Sequence, residues 1–205
     1  DETVKRLAAM KPAARDFRVI WDEAYIIHDF YDDGDELLNI FDEAKKYGNE
    51  DNFIAFTSTS KITFAGAGVS VMAASDANFE EISKRLTLQI ISYDKINQLR
   101  HCQIYKTVDD VKVQMKKHAD ILRPKFRTVL EILERELGGL GIAQWNEPKG
   151  GYFISLDVTG GSARLVGEHC KKAGLTLTGV GATYPYKHDP EDKNIRLAPS
   201  CPGIQ

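Results

Sequence analysis

A chain of 205 residues, 42% hydrophobic and 28% charged, has enough apolar surface for one or two folded cores, which argues against disordered and fibrous classes. Its formal net charge of -3 argues against a surface built for phosphate backbones or anionic lipids, since both reward clustered Lys and Arg, so neither nucleic acid nor membrane is expected as a partner. Cys102, Cys170 and Cys201 are widely spaced with no C-x-x-C pair, which suggests neither a disulfide framework nor a zinc site and makes a reducing cytoplasm the expected location.

Val4, Leu7 and Ala8 stand at helical spacing before Lys11-Pro12, so the chain opens on what reads as the tail of a helix begun upstream. Phe17-Arg18-Val19-Ile20-Trp21 is a short β-type run followed by Asp22 and Tyr25; Phe53-Ile54-Ala55-Phe56 is a second, followed by a Ser/Thr cluster and Lys61. Gly68 to Ala74 reads as a third, largely buried strand. Asn78 to Ile91 reads as a helix with Phe79, Ile82, Leu86 and Ile90 on one side. Alternation of strand and helix predicts a mostly parallel sheet in an α/β protein. Thr107 to Leu137 keeps helical periodicity and predicts one long helix, bent at Pro124, that links two domains. Beyond Gly138-Gly139, Gly151 to Val158 alternates as a half-buried strand, Ser162 to Ala173 reads as a helix ending at Gly174, and Asn194 to Ala198 is the last strand.

Three places carry chemistry. Thr57-Ser58-Thr59-Ser60-Lys61 sets an amine among hydroxyls just after an apolar strand, which suits a Schiff-base lysine beside a phosphate-binding turn or a solvated loop lysine. A lysine with the reference pKa of about 10.4 is a poor nucleophile at neutral pH, so catalysis requires desolvation or neighbouring cations. Asp22 at a strand end, with Tyr25 three residues on, suits a carboxylate holding a protonated ring nitrogen with a tyrosine on a ring hydroxyl. A helix cap with a packing aromatic is the alternative. Arg196 interrupts an otherwise apolar strand; its planar fork matches a carboxylate, and a surface salt bridge is the alternative. His28, His101, His118, His169 and His188 show no metal-ligand spacing, so no metal is expected.

Together, Asp22-x-x-Tyr25, Ser58-x-Ser60-Lys61, the strand start Gly150-Gly151-Tyr152-Phe153 and the late Arg196 resemble, in order and near spacing, the fold-type I pyridoxal 5'-phosphate (PLP)-dependent enzymes of aminotransferase class I/II. The run from Ser60 to Val69 is similar, more narrowly, to the bacterial aspartate aminotransferase subgroup related to MocR-type proteins. The resemblance covers essentially the whole chain and corresponds to the family's carboxyl-terminal half. It implies that residues 1–105 are the end of the large PLP-binding domain and residues 106–205 an α+β small domain, truncated at its end.

The resemblance also implies the roles. Lys61 would form the Schiff base to PLP and move the proton between substrate Cα and cofactor C4′, while Asp22 pairs with the pyridinium nitrogen and Tyr25 bonds the ring hydroxyl. Ser58 and Ser60 would contact the phosphate, and Arg196 the substrate's α-carboxylate. The implied activity is transfer of an amino group between an amino acid, aspartate by subgroup, and a 2-oxo acid, in a homodimer. A PLP-dependent lyase and the effector-binding domain of a MocR-type regulator are the alternatives. Family architecture makes Asn97 and Arg100 candidates for reaching a partner subunit's site. One departure stands out: many members carry a phosphate-binding arginine eight residues beyond the lysine, where this chain has Val69, leaving backbone donors of Gly66-Ala67-Gly68 as substitutes. A preceding half with the ring-stacking aromatic, and a final helix beyond Cys201 to Gln205, are expected outside the chain, which alone should be inactive.

Overall fold

The computed structural model describes residues 1–200 as two compact units: Asp1–Ile27 with Asp35–Met115, and His28–Gly34 with the chain from Lys116 onward. Cys201 and the chain end to Gln205 lie outside the described residues.

In the first unit, helices α1 (Glu2–Ala8) and α2 (Ile40–Lys45) cover strands β1 (Val19–Asp22) and β2 (Phe53–Ser58). Alternation along β2 sends Phe53 and Ala55 to one face, where Phe53 packs with Val4, Ala8, Ile40 and Ala44, flanked by Val19 and Trp21. Asn39 starts α2 by accepting from the Phe41 and Asp42 amides. Asn49 donates its side-chain amide to the carbonyls of Ala8 and Met10, so the end of α1 is tied to the turn after α2.

β1 and β2 pair in parallel, with Val19 opposite Phe53 and Asp22 opposite Phe56. β3 (Ser70–Ala74) pairs antiparallel with β2, Ser58 opposite Ser70. The expected mostly parallel sheet is therefore mixed, in the order β1-β2-β3. The reason is the connection: residues 59–69 are too few for the crossover that parallel neighbours need, so the chain turns straight back. β3 is also not the largely buried strand that its apolar run predicted. It is an edge strand, and Val71 is 59% exposed. Helix α3 (Asp76–Gln89) forms where expected, capped by Ser75, yet its one buried side chain is Asn78, and Phe79 is 56% exposed. Apolar periodicity identifies a helix; it does not supply the surface that buries it. A further helix, α4 (Lys95–Ile104), begins at Asp94, whose carboxylate accepts from the Asn97 amide.

The long helix α5 (Val108–Leu137) opens on a reciprocal cap: Asp110 accepts from the Thr107 and Lys106 amides, and the Thr107 hydroxyl accepts from the Asp110 amide. It runs through Pro124 without interruption. The division between the units falls inside it, after Met115, whereas the expected domain boundary at 105 precedes it.

The second unit holds an antiparallel sheet, in the order β4-β5-β6, of β4 (Ala143–Trp145), β5 (Ile154–Val158) and β6 (Asn194–Leu197), with α6 (Ala163–Lys172). Ile154 packs with Phe126 and Leu122 of α5, while Leu156, Ile195 and Ala163 form a second cluster. Residues 28–34 join this unit through a bridge between Asp29 and Gly150, with the Phe30 ring centred 4.6 Å from that of Phe126 and tilted 56° to it. A side chain at Gly150 would bring its Cβ within 2.5 Å of the His28 carbonyl oxygen, so the glycine there is a steric requirement of the bridge.

Buried Asp189 shapes the approach to β6, its carboxylate accepting from the Glu191, Lys193 and Asn194 amides at 3.1, 2.9 and 2.8 Å. Burial works against the charge, but the three amides outweigh it and hold the pKa below the ordinary 3.8. A depressed carboxylate pKa stabilises the fold above the ordinary value, and that stabilisation is lost as pH falls through the lower folded value. Asp189→Asn is therefore expected to lower the urea unfolding midpoint at neutral pH. The gap from wild type should close as the pH drops below 3.8, and a gap independent of pH would contradict the assignment.

Candidate active site

Two strands that run parallel end on the same edge of their sheet, which is where open α/β sheets place ligands. Here the Glu23 amide donates to the Phe56 carbonyl at 2.8 Å, and the Thr57 hydroxyl donates to the Glu23 carbonyl at 3.3 Å. The turn after β1 is thereby laced to the end of β2. Asp22 accepts from the Ala24 amide at 3.0 Å, its carboxylate is exposed, and no helix follows it. The helix-cap alternative falls; Asp22 tightens a turn instead. Tyr25, in that turn, lies under Lys61, with Nζ 5.0 Å from the ring centroid, within cation–π range. Asp22, Tyr25 and Lys61 thus share one sheet edge, with Ser58 at the last position of β2.

Lys61 sits in the loop of residues 59–69, and that loop is closed at its base. The Thr59 amide donates to the Val69 carbonyl at 2.8 Å, and the Val69 amide donates to Thr59 Oγ1 at 2.9 Å. Ile62 and Thr63 donate their amides to the Thr59 carbonyl. A Cβ at Gly68 would lie 2.6 Å from Ser60 Oγ and 2.9 Å from Ser60 N, so the Gly66-Ala67-Gly68 turn is pressed against Ser60. Val69, the position of the sequence's one departure, is occupied with closing the loop through its backbone.

Sequence patterns missed what holds this loop from outside. Asn97 of α4 donates its side-chain amide to the Ala67 carbonyl at 2.8 Å, and His101 reaches the Thr59 and Thr63 hydroxyls at 3.2 and 2.8 Å. Asn97 is therefore engaged within its own chain through Nδ2, while its Oδ1 is buried without a hydrogen-bond partner among the described residues. The available signal was spacing: behind the Asp94 cap, Asn97 and His101 stand four apart on one helix face. Arg100 on the same helix is exposed.

Arg196 belongs to the second unit. It stands opposite Ser155 in the β5–β6 pairing, with its guanidinium carbon 4.3 Å over the Phe153 ring. Its Nε is buried and has no hydrogen-bond partner among the described residues, and no carboxylate there pairs with it. The salt-bridge alternative is thus excluded among those residues. An unsatisfied buried donor costs about 1–3 kcal/mol, more when charged, so this group favours an incoming anion. A cavity of about 300 Å³ in the same unit, lined by Gln144, Asp157, Gly160 and Lys193 among others, includes none of the sequence-selected residues. No helix among the described residues is long and apolar enough to cross a membrane, and no cluster of metal-ligating side chains is found among them.

Known proteins resemble this chain over its whole length. An aspartate aminotransferase of Corynebacterium glutamicum is 48% identical over 205 residues, covering 100% of this chain and 48% of that protein. The crystal structure of an aspartate transaminase from the same species superposes with a TM-score of 0.94 at 48% identity, over 99% of this chain and 48% of that one. The α-aminoadipate aminotransferase of Thermus thermophilus, complexed with N-(5'-phosphopyridoxyl)-L-leucine, shares the fold at 21% identity, with a TM-score of 0.72 over 97% of this chain and 49% of its own. The chain spans about half the length of these relatives. The family model described as aspartate amino-transferase matches residues 1–205, and the chain belongs to that family.

Proposed function

We propose that this chain is the carboxyl-terminal half of a cytoplasmic, homodimeric PLP-dependent aminotransferase that moves an amino group between aspartate and a 2-oxo acid. The single observation that carries this is the juxtaposition of Asp22, Tyr25 and Lys61 at the shared end of two parallel strands. The span of half a relative's length and the exposed apolar residues Leu88, Ile91 and Ile96 support a larger polypeptide and a protein partner. The run from Ser60 to Val69 supports the subgroup related to MocR-type proteins. On this reading residues 1–105 finish the large domain and 106–205 form the small one.

The residues present fit the cofactor. Lys61 is exposed and follows the hydroxyls of Ser58 and Ser60, and Nε of Arg196, buried without a hydrogen-bond partner among the described residues, suits an anion. PLP, when bound, supplies an electron sink for the bonds at the substrate's α-carbon. The carboxylate of Asp22 would hold a proton on the ring nitrogen, and Tyr25 would donate to the ring hydroxyl oxygen. Ser58, Ser60 and, in the Gly66-Ala67-Gly68 turn, the two glycine amides would hold the phosphate, the Ala67 amide being taken by the Phe64 carbonyl. Lys61 would attach the cofactor through its amine and then carry the proton to and from the substrate's Cα. Arg196 would orient the α-carboxylate bidentately.

The reaction itself is tested by adding aspartate to the full-length holoenzyme and following conversion of bound PLP to its pyridoxamine form by absorbance. Lys61→Ala is expected to abolish the borohydride-trappable link to PLP while the circular dichroism spectrum is retained. Reduced PLP on the variant at the wild-type level would transfer the role to another lysine. Asp22→Asn keeps the side chain's shape and removes its charge. An opposite charge close to a cation is worth about 1–3 pKa units, so kcat should fall roughly 10- to 1000-fold at equal PLP occupancy, with KM changing less. An asparagine variant with wild-type kcat would remove Asp22 from the site.

A further inference from the structure

His101 lies on α4, outside the turn that carries Lys61, and the proposed chemistry gives it no task. Its ring nevertheless faces that turn. Nε2 is 2.8 Å from Thr63 Oγ1 and 3.2 Å from Thr59 Oγ1, and Nδ1 is 2.9 Å from the Asn97 carbonyl oxygen. A carbonyl only accepts, so Nδ1 carries the proton, and in the neutral ring Nε2 accepts from a threonine hydroxyl.

The two threonines are the inner fastenings of the loop. Thr59 Oγ1 accepts from the Val69 amide, and the Thr59 carbonyl accepts from the amides of Ile62 and Thr63, the two residues that follow Lys61. The imidazole is thereby coupled to both ends of residues 59–69. One helical turn earlier, Asn97 Nδ2 donates to the Ala67 carbonyl at 2.8 Å and lies 3.3 Å from that of Gly68, on the far flank of the same loop. The Phe64 ring meets the edge of His101 at 6.3 Å between centroids.

We propose that His101, assisted by Asn97, is a positioning residue: it fixes the 59–69 loop through Thr59 and Thr63 and so holds Lys61 on line for PLP, which rests on the reading of Lys61 as the PLP lysine. His101 does not touch the reacting atoms; it removes freedom from the backbone that carries the amine. A catalytic group displaced by about 1 Å loses on the order of a hundredfold in rate, so such restraint has a use.

The geometry separates this role from simple packing. A glutamine amide extends to about the position of Nε2 and can meet the threonine hydroxyls, whereas an asparagine amide reaches only the position of Nδ1. His101→Ala, His101→Asn and His101→Gln are to be made in the full-length protein and compared by hydrogen exchange at the Ile62, Thr63 and Val69 amides of the cofactor-free form. PLP dissociation rate and melting temperature complete the comparison. Loss of the threonine contacts should speed exchange at these amides and PLP release roughly tenfold in the alanine and asparagine variants. Glutamine should restore both to within about threefold of wild type, with melting temperatures a few degrees apart at most.

Unchanged exchange in His101→Ala, asparagine performing as well as glutamine, or glutamine failing as badly as alanine would each overturn the proposal. Borohydride reduction of the wild type keeps the two levels apart. PLP fixed to a lysine other than Lys61 overturns the cofactor reading and the positioning role with it. PLP on Lys61 with unchanged loop exchange overturns the role of His101 alone.

Discussion

Parallel pairing of β1 with β2 is the constraint on which the rest of the first unit depends. Antiparallel neighbours would put the end of β1 beside the start of β2, and Asp22 would lie at the opposite edge from Lys61. With Asp22 opposite Phe56, both strands finish together, and the polar residues that follow each must share one edge. The core enforces this register, because alternation along β2 buries Phe53 and Ala55 on one face, Phe53 against α1 and α2 with Trp21 packed beside it. A slip of one residue would exchange those faces and turn Phe53 outward. Apolar burial far from the polar edge therefore decides which polar side chains meet.

The loop after β2 shows a second economy. It returns at once as the edge strand β3, so both its ends are anchored to the sheet by the Thr59–Val69 pair. Closing a short loop at its base restricts everything between, and Gly68 lets the returning backbone approach Ser60 more closely than any side chain would permit. Val69 then has a structural task that depends on its main chain. The arginine that the family resemblance leads one to expect there would act through its side chain, so its absence leaves the loop's closure intact.

Legibility in the sequence followed the range of the interactions. β1, β2, β5 and β6 were readable because alternation and β-branched residues are local signals, and α5 because thirty residues of one periodicity outweigh a single proline. Two short elements escaped: α2 has six residues and β4 three, too few for a period to emerge. α4 escaped because its apolar residues Ile96, Leu99 and Ile104 are exposed, and polar neighbours dilute the pattern. The antiparallel return of β3 was not readable from alternation alone; connection length decided it. Asp22, Tyr25 and Lys61 were found through the order of motifs, and the structure brings them to one edge. The grip of Asn97 and His101 joins residues some 30 to 40 positions apart in sequence, and no local propensity encodes such a contact.

Asp22 and Lys61 are both exposed among the described residues, and charges in water are weak: two unit charges at 4 Å interact by about 1 kcal/mol at bulk dielectric and about 4 kcal/mol at an effective value of 20. A carboxylate that is to keep a ring nitrogen protonated works in the second regime. Under the proposed function, whatever seats PLP must therefore also exclude solvent from this edge. The chain has surface suited to that purpose, since Ile20 is 61% exposed on the sheet face that also carries Asp22. Burial of such residues by further polypeptide would lower the local dielectric beside the charges, so the same association that hides apolar surface would strengthen the electrostatics of the site. Arg196 presents the converse case. Its Nε is already withdrawn from water and, among the described residues, without a hydrogen-bond partner, so under the proposed function the desolvation that a bound carboxylate would otherwise impose has in part been met by the fold itself, and binding the anion would relieve a cost already present.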